Sequence, residues 1–97
     1  YYHACAIASD DQAYCWGNNS SGALGNNSTT NSLVPVAVYT AGVLSGKTMT
    51  SITVGAVFSC ATASDGQAYC WGAGTTSQLG NGSTANSSVP VLVSPNP

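Results

Sequence analysis

The chain repeats itself at a fixed spacing. The stretch from Cys5 to Gly17, CAIASDDQAYCWG, returns from Cys60 to Gly72 as CATASDGQAYCWG, 55 positions later. The match runs without a gap to Val38 and Val93 and is identical at 22 of 34 positions. Self-similarity at one period marks a repeat architecture, in which a single unit cannot bury its apolar face alone and must stack on a neighbour. Two periods of 55 would take 110 residues and the chain has 97, so it reads as a piece of a longer array. Residues 1–55 form a first unit and 56–97 a second, incomplete one.

Local signals point to strands. Residues 4–8 and 13–17 are short apolar segments around Ser9-Asp10-Asp11. A three-residue hairpin loop ends in a residue at positive φ, where Gly is best and Asp is tolerated. The second copy has Gly66 where the first has Asp11. That loop pairs Ala8 with Gln12, which sets Cys5 opposite Cys15 and, by the same arithmetic, Cys60 opposite Cys70. The Gly/Asn/Ser stretches at 17–32 and 72–88 read as loops, each anchored by an inward Leu, Leu24 and Leu79. Segments 34–38 and 89–93 read as strands whose Pro35 and Pro90 confine them to an edge or a strand start. Thr50–Val54 alternates polar and apolar as a half-buried strand does. No window carries a helical period. The fold class is all-β, with about four short strands per period.

Composition narrows the function. Lys47 is the one basic residue, Asp10, Asp11 and Asp65 are the acidic ones, and the formal net charge is −2. Charged residues are about a quarter of an ordinary soluble domain and 4% here. With no basic patch, neither nucleic acid nor an anionic membrane surface is an expected partner. No run approaches the roughly 18 apolar residues of a membrane-spanning helix.

The pattern Cys-Ala-x-x-Ser-Asp-Gly-Gln-Ala-Tyr-Cys-Trp-Gly, then Gln-Leu-Gly-Asn-Gly, then Val-Pro-Val, resembles the regulator of chromosome condensation repeat. The resemblance covers nearly the whole chain and implies blades of four antiparallel strands from a seven-bladed β-propeller. The paired cysteines resemble bacterial secreted or surface versions of that family. Departures fall in the loops: Asp11 replaces the turn glycine, Ala23 a typical Gln, Ser77 a typical Gly and Gly74 a typical Asn. The family's nucleotide-exchange activity toward a small GTPase implies charged loop residues that this chain lacks.

Four cysteines in two equivalent pairs suit disulfides, because directly opposed residues lie within bridging range. The bonds Cys5–Cys15 and Cys60–Cys70 imply an oxidising compartment. Four buried free thiols in a cytosolic protein are the plain alternative. A zinc site is a third, although the cysteines are ten apart and His3 has Phe58 as its counterpart. No cofactor and no metal is expected.

His3 is the single histidine and no Glu exists to orient it, so it reads as a strand residue rather than a general base. No Ser or Thr sits in a nucleophile elbow, and no catalytic residue is assigned. Trp16, Trp71, Tyr14 and Tyr69 recur with the period and read as packing between repeats. Tyr1, Tyr2 and Tyr39 do not recur and are candidates for a surface contact. Six Asn-x-Ser/Thr sequons begin at Asn18, Asn19, Asn26, Asn27, Asn81 and Asn86, all in expected loops where a glycan could attach. The chain therefore reads as a non-catalytic, secreted or cell-surface repeat module for adhesion. Its partners would be further copies of the repeat and an unidentified protein or glycan. The alternative is a structural subunit that self-assembles through strand edges into an extracellular fibre or oligomer.

Overall fold

The computed structural model describes residues 3–40, 42–74 and 85–93. Seven strands carry these residues: β1 (His3–Ile7), β2 (Ala13–Gly17), β3 (Ser32–Ala37), β4 (Met49–Val54), β5 (Phe58–Ala63), β6 (Ala68–Gly72) and β7 (Ser87–Leu92). No helix occurs among the described residues. The strands form two antiparallel sheets, β1-β2-β3 and β4-β5-β6-β7. The 55-residue period cuts the second sheet between β4 and β5, so each sequence unit is offset from a sheet by one strand.

The hairpins form as the turn chemistry requires. Ala8 N–H donates to the Gln12 carbonyl at 3.0 Å, and Asp11 N–H to the Ala8 carbonyl at 2.9 Å. Asp11 sits at φ 63° and Gly66 at φ 79°. β1 ends at Ile7, one residue before the expected limit, because both backbone groups of Ala8 already serve the turn. β3 and β7 begin two residues earlier than expected. Ser32 and Ser87 read as loop residues but pair with Gly17 and Gly72 across a bulge. β3 and β7 are edge strands, which accommodates the missing N–H of Pro35 and Pro90.

Strand alternation decides what faces what. On β5, Ser59, Ala61 and Ala63 are buried while their neighbours are partly exposed. Ala61 and Ala63, with Met49 of β4, join Ala13 and Cys15 of β2, and Leu24, Val38 and Leu44 close the core from the connecting segments. The expected inward anchor Leu24 is 0% exposed; Leu79 lies outside the described residues. Tyr69 and Trp71 of β6 join the same core.

Trp71 of the second sheet packs closely on Gly25, which follows β2 of the first. A Cβ built at Gly25 would stand 2.6 Å from Trp71 Nε1, and Gly25 has φ +68°. Only a residue without a side chain fits, on both counts. Trp71 is fully buried, whereas Trp16, its counterpart 55 residues earlier, is half-buried. The tryptophan of one sheet thus lies on the Leu-Gly step of the other.

Gly25→Ala is expected to lower the unfolding free energy by about 2–4 kcal/mol, combining left-handed strain with overpacking. Gly46 has φ +75° with no atom within 4 Å of a built Cβ. Gly46→Ala should therefore cost only the strain, about 1–2 kcal/mol. Urea unfolding of both variants separates the two contributions.

Candidate functional site

The two turns carry the same polar lock. Asp10 Oδ1 accepts from Gln12 N–H at 3.0 Å and its Oδ2 from the Tyr14 hydroxyl at 2.6 Å. Asp65 does the same with Gln67 N–H at 2.9 Å and Tyr69 at 2.7 Å. The tyrosine hydrogen bond, then the backbone one, holds each carboxyl below its ordinary pKa. The carboxylate in turn raises each phenol above 10.0. These acidic side chains are committed to their hairpins.

Each hairpin is also cross-linked. Cys5 is bonded to Cys15 and Cys60 to Cys70, both with Cα atoms 4.0 Å apart. Counting from the hydrogen-bonded pair Ala8/Gln12, Cys5/Cys15 falls on a non-hydrogen-bonded pair, where opposed strands come closest. The Cys5–Cys15 bridge points toward the second sheet, and Cys5 Sγ lies 3.6 Å from Ser59 Oγ. Ser59 donates to the Ala23 carbonyl at 2.8 Å and takes a 2.7 Å hydrogen bond from His3 Nε2. His3 is buried, and burial lowers its pKa from 6.5 against the opposing pull of the Phe58 and Ala56 backbone. Its Nδ1 has no hydrogen-bond partner among the described residues. The ring is a strand residue tying the sheets together, with no carboxylate to make it a base. Neither His3 nor Ser59 recurs, since Phe58 and Ala4 stand at the equivalent positions, so the period gave no sign of this link.

The first loop is organised around Asn19. Its Nδ2 donates to Asn26 Oδ1 and to the carbonyls of Ser28 and Thr30, at 3.2, 2.8 and 3.1 Å. Its Oδ1 accepts from Leu24 N–H at 2.9 Å, and its own N–H donates to Asn31 Oδ1 at 2.8 Å. Asn19 is 0% exposed, with its amide nitrogen engaged in these bonds. Asn26 is half-buried and accepts from it. Asn18 and Asn27 are exposed, with Asn18 Oδ1 accepting from the N–H and hydroxyl of Ser20. Asn86 is exposed, and its Oδ1 accepts from Gly74 N–H at 3.0 Å, the periodic counterpart of the Asn31 bond. Asn81, Tyr1 and Tyr2 lie outside the described residues. The signal for Asn31 and Asn86 was present, since an Asn recurs at that position.

Lys47 Nζ donates to the Val43 carbonyl at 2.9 Å, so the single cation is turned onto its own loop. Among the described residues, no three His, Cys, Asp or Glu side chains gather as a metal site would need, and no pocket forms. What the structure presents is surface: polar loops, and two exposed apolar side chains on opposite faces of β3, Leu33 at 99% and Val34 at 63%. Tyr39 is exposed beside it in sequence.

Models of the regulator of chromosome condensation (RCC1) repeat match residues 10–62, 65–97 and, in a second form, 49–78. The chain belongs to the RCC1 repeat family. It is 32% identical over 93 residues to the E3 ubiquitin-protein ligase HERC2 of Homo sapiens, covering 95% of this chain and 2% of that one. It is 32% identical over 91 residues to the ultraviolet-B receptor UVR8 of Arabidopsis thaliana, covering 94% and 20%. Among solved structures, human WBSCR16 superposes with a TM-score of 0.78 at 18% identity, over 96% of this chain and 24% of that one. Prp20p of Saccharomyces cerevisiae gives 0.75 at 24% identity, over 96% and 24%. The two sheets are therefore propeller blades, the first showing no counterpart of β4 among the described residues, and the chain spans about two blades of a larger propeller.

Replacing Cys60 and Cys70 together by Ser should cost about 3 kcal/mol of stability, the loop-entropy value for a bridge of this span. The Cys5 and Cys15 pair should cost more, because Cys15 belongs to the apolar cluster between the sheets with Cys5 packed on it, whereas Cys70, though buried, lies outside that cluster; urea midpoints of the two double variants test the order. The Asp–Tyr locks stabilise across a wide pH window. Both aspartates have lowered folded pKa values, so their contribution is present above about 3.9 and is lost as pH falls through the folded values. Both tyrosines have raised values, so theirs is present below about 10 and is lost as pH rises through the folded values. Tyr69→Phe should return the Asp65 titration toward the ordinary carboxylate value while leaving Asp10 unchanged, read by carboxyl NMR shifts.

Proposed function

We propose that the chain is a non-catalytic propeller module of a secreted or cell-surface protein, holding a protein or glycan partner on its Asn/Ser/Thr loops. The observation that carries this reading is the pair of equivalent disulfides, one per blade, since such bonds persist in oxidising compartments and are rare in reducing ones. The near absence of charge supports it. A surface satisfied by amides and hydroxyls matches the hydrogen-bonding groups of a glycan or a neutral protein face, not an anionic polymer.

The relatives that share the repeat include a ubiquitin ligase and an ultraviolet receptor. Prp20 is described bound to Kap60, and in its binding to Gsp1p and histones. It is this binding of other proteins that we carry to the present chain. Further repeats are partners of the same kind.

Thiol trapping on intact source cells tests the reading. A membrane-impermeant maleimide, applied after reduction with an impermeant phosphine, should label Cys5 and Cys60, the partly exposed member of each pair, and no cysteine without reduction. Labelling without reductant, or labelling only after lysis, would place the protein in a reducing interior and end the extracellular reading.

A further inference from the structure

A chain with one cation and three acidic side chains has little charge with which to guard a sheet edge. Unpaired edges recruit further strands, and charged side chains are a common defence. β3 and β7 each close one side of a sheet. β3 is the more hazardous of the two. It runs Leu33-Val34-Pro35-Val36-Ala37 without a charge, and Leu33 and Val34 are exposed. Short, uncharged, β-branched segments pair with copies of themselves unless something interrupts them.

Three features interrupt this edge, and all of them recur 55 residues later. The first is a bulge. Cys15 pairs with Val36 and Gly17 with Ser32, so Leu33, Val34 and Pro35 together face Trp16. On the second blade Ser88, Val89 and Pro90 face Trp71 in the same way. A bulge takes residues out of the ladder and bends the strand. The second is a side-chain cap. The Ser32 hydroxyl donates to the Val34 carbonyl at 2.7 Å and accepts from Val34 N–H at 3.3 Å. Ser87 holds Val89 with the same pair of bonds, at 2.6 and 3.3 Å. The third is proline, which brings no N–H to the edge.

The register decides which groups remain. Val38 N–H donates to the Ala13 carbonyl at 3.0 Å, so Val38 and, two residues before it, Val36 turn to β2. Pro35 and Ala37 therefore turn outward. Pro35 has no donor, and beyond Ala37 the Tyr39 N–H is taken by the Gly25 carbonyl at 2.7 Å. Among the described residues, Ala37 is the one outward donor between the capped Val34 and Tyr39. A single donor does not register an incoming strand, because an antiparallel ladder needs its bonds at every second residue.

We propose that bulge, serine cap and proline close the outer edge of each blade to strand addition, whether by an extended peptide or by a second copy of this chain. The device substitutes for the missing charge. It works against a fibre joined through β3 and β7, and it leaves a partner at this edge to be held by side chains rather than by main-chain pairing. None of the three features depends on the compartment in which the protein works.

The test compares the full chain with its Ser32→Ala/Pro35→Val variant, following hydrogen exchange of the Ala37 amide across a concentration series. In the unmodified protein Ala37 should exchange at one rate at every concentration, whatever other surfaces associate. In the double variant its exchange should slow several-fold as concentration rises, with oligomers in sedimentation. Concentration-dependent protection of Ala37 in the unmodified protein overturns the proposal. So does a double variant that forms the Cys5–Cys15 bond yet behaves as the unmodified protein does. If that bond does not form, Ser32→Ala/Pro35→Ala, which restores the donor with less added bulk, is read by the same outcomes. A second measurement needs no variant. A lysine-flanked peptide copying residues 32–38, with valine in place of Pro35, is titrated into the unmodified protein. The Val34 and Ala37 amide signals should stay where they are; saturable shifts confined to β3 overturn the seal.

Discussion

The seating of Trp71 on Gly25 is the contact on which the rest of the arrangement depends. It places the largest side chain of one blade against bare backbone of the other. The two blades can then approach closely enough for Ala13, Ala61 and Ala63 to fill the space between them. Small residues in a core contribute little apolar area each, so such a core holds only if the layers are close. Gly72, which would meet Ala23 and the Val57 carbonyl if it carried a Cβ, follows the same requirement. The Trp-Gly and Leu-Gly steps that form this interlock recur in the sequence of each period.

Within each blade, a different economy operates. The chain has almost no charge to place on its surface, and it satisfies its loops with short amide and hydroxyl side chains turned onto nearby backbone. Asn19 ties four segments of one loop, Asn31 and Asn86 close each loop at its base, and Ser32 and Ser87 bracket the entry of β3 and β7 through paired bonds to Val34 and Val89. Such bonds are local and neutral, so ionic strength has little hold on them.

The parts of this fold legible in the sequence are those set by local chemistry. The three-residue turn fixed the hairpin register, and the register set Cys5 opposite Cys15. Pro35 and Pro90 marked the edge strands because a missing N–H excludes the middle of a sheet. What escaped was whatever depends on a second segment arriving. Asn19 sits in a sequon and looks like any surface asparagine until the loop folds over it. His3 and Ser59 are ordinary strand residues until two blades meet, and neither recurs. Trp16 and Trp71 are identical in sequence context, yet one is sealed and the other half-open, since burial here belongs to the neighbour rather than to the residue.

Both disulfides close within a hairpin, and neither joins one blade to the other. Under a pulling force along the chain, the weakest joints are therefore between blades, where a few hydrogen bonds such as Asn27 to Ser88 and Ser59 to Ala23 act beside the tryptophan contact. The blades part first and release the connecting segments as slack, while the stretch from Cys5 to Cys15 and that from Cys60 to Cys70 cannot lengthen at all. An array built this way yields in steps under load and keeps, in every unit, a folded seed from which the blade can re-form when the load is removed.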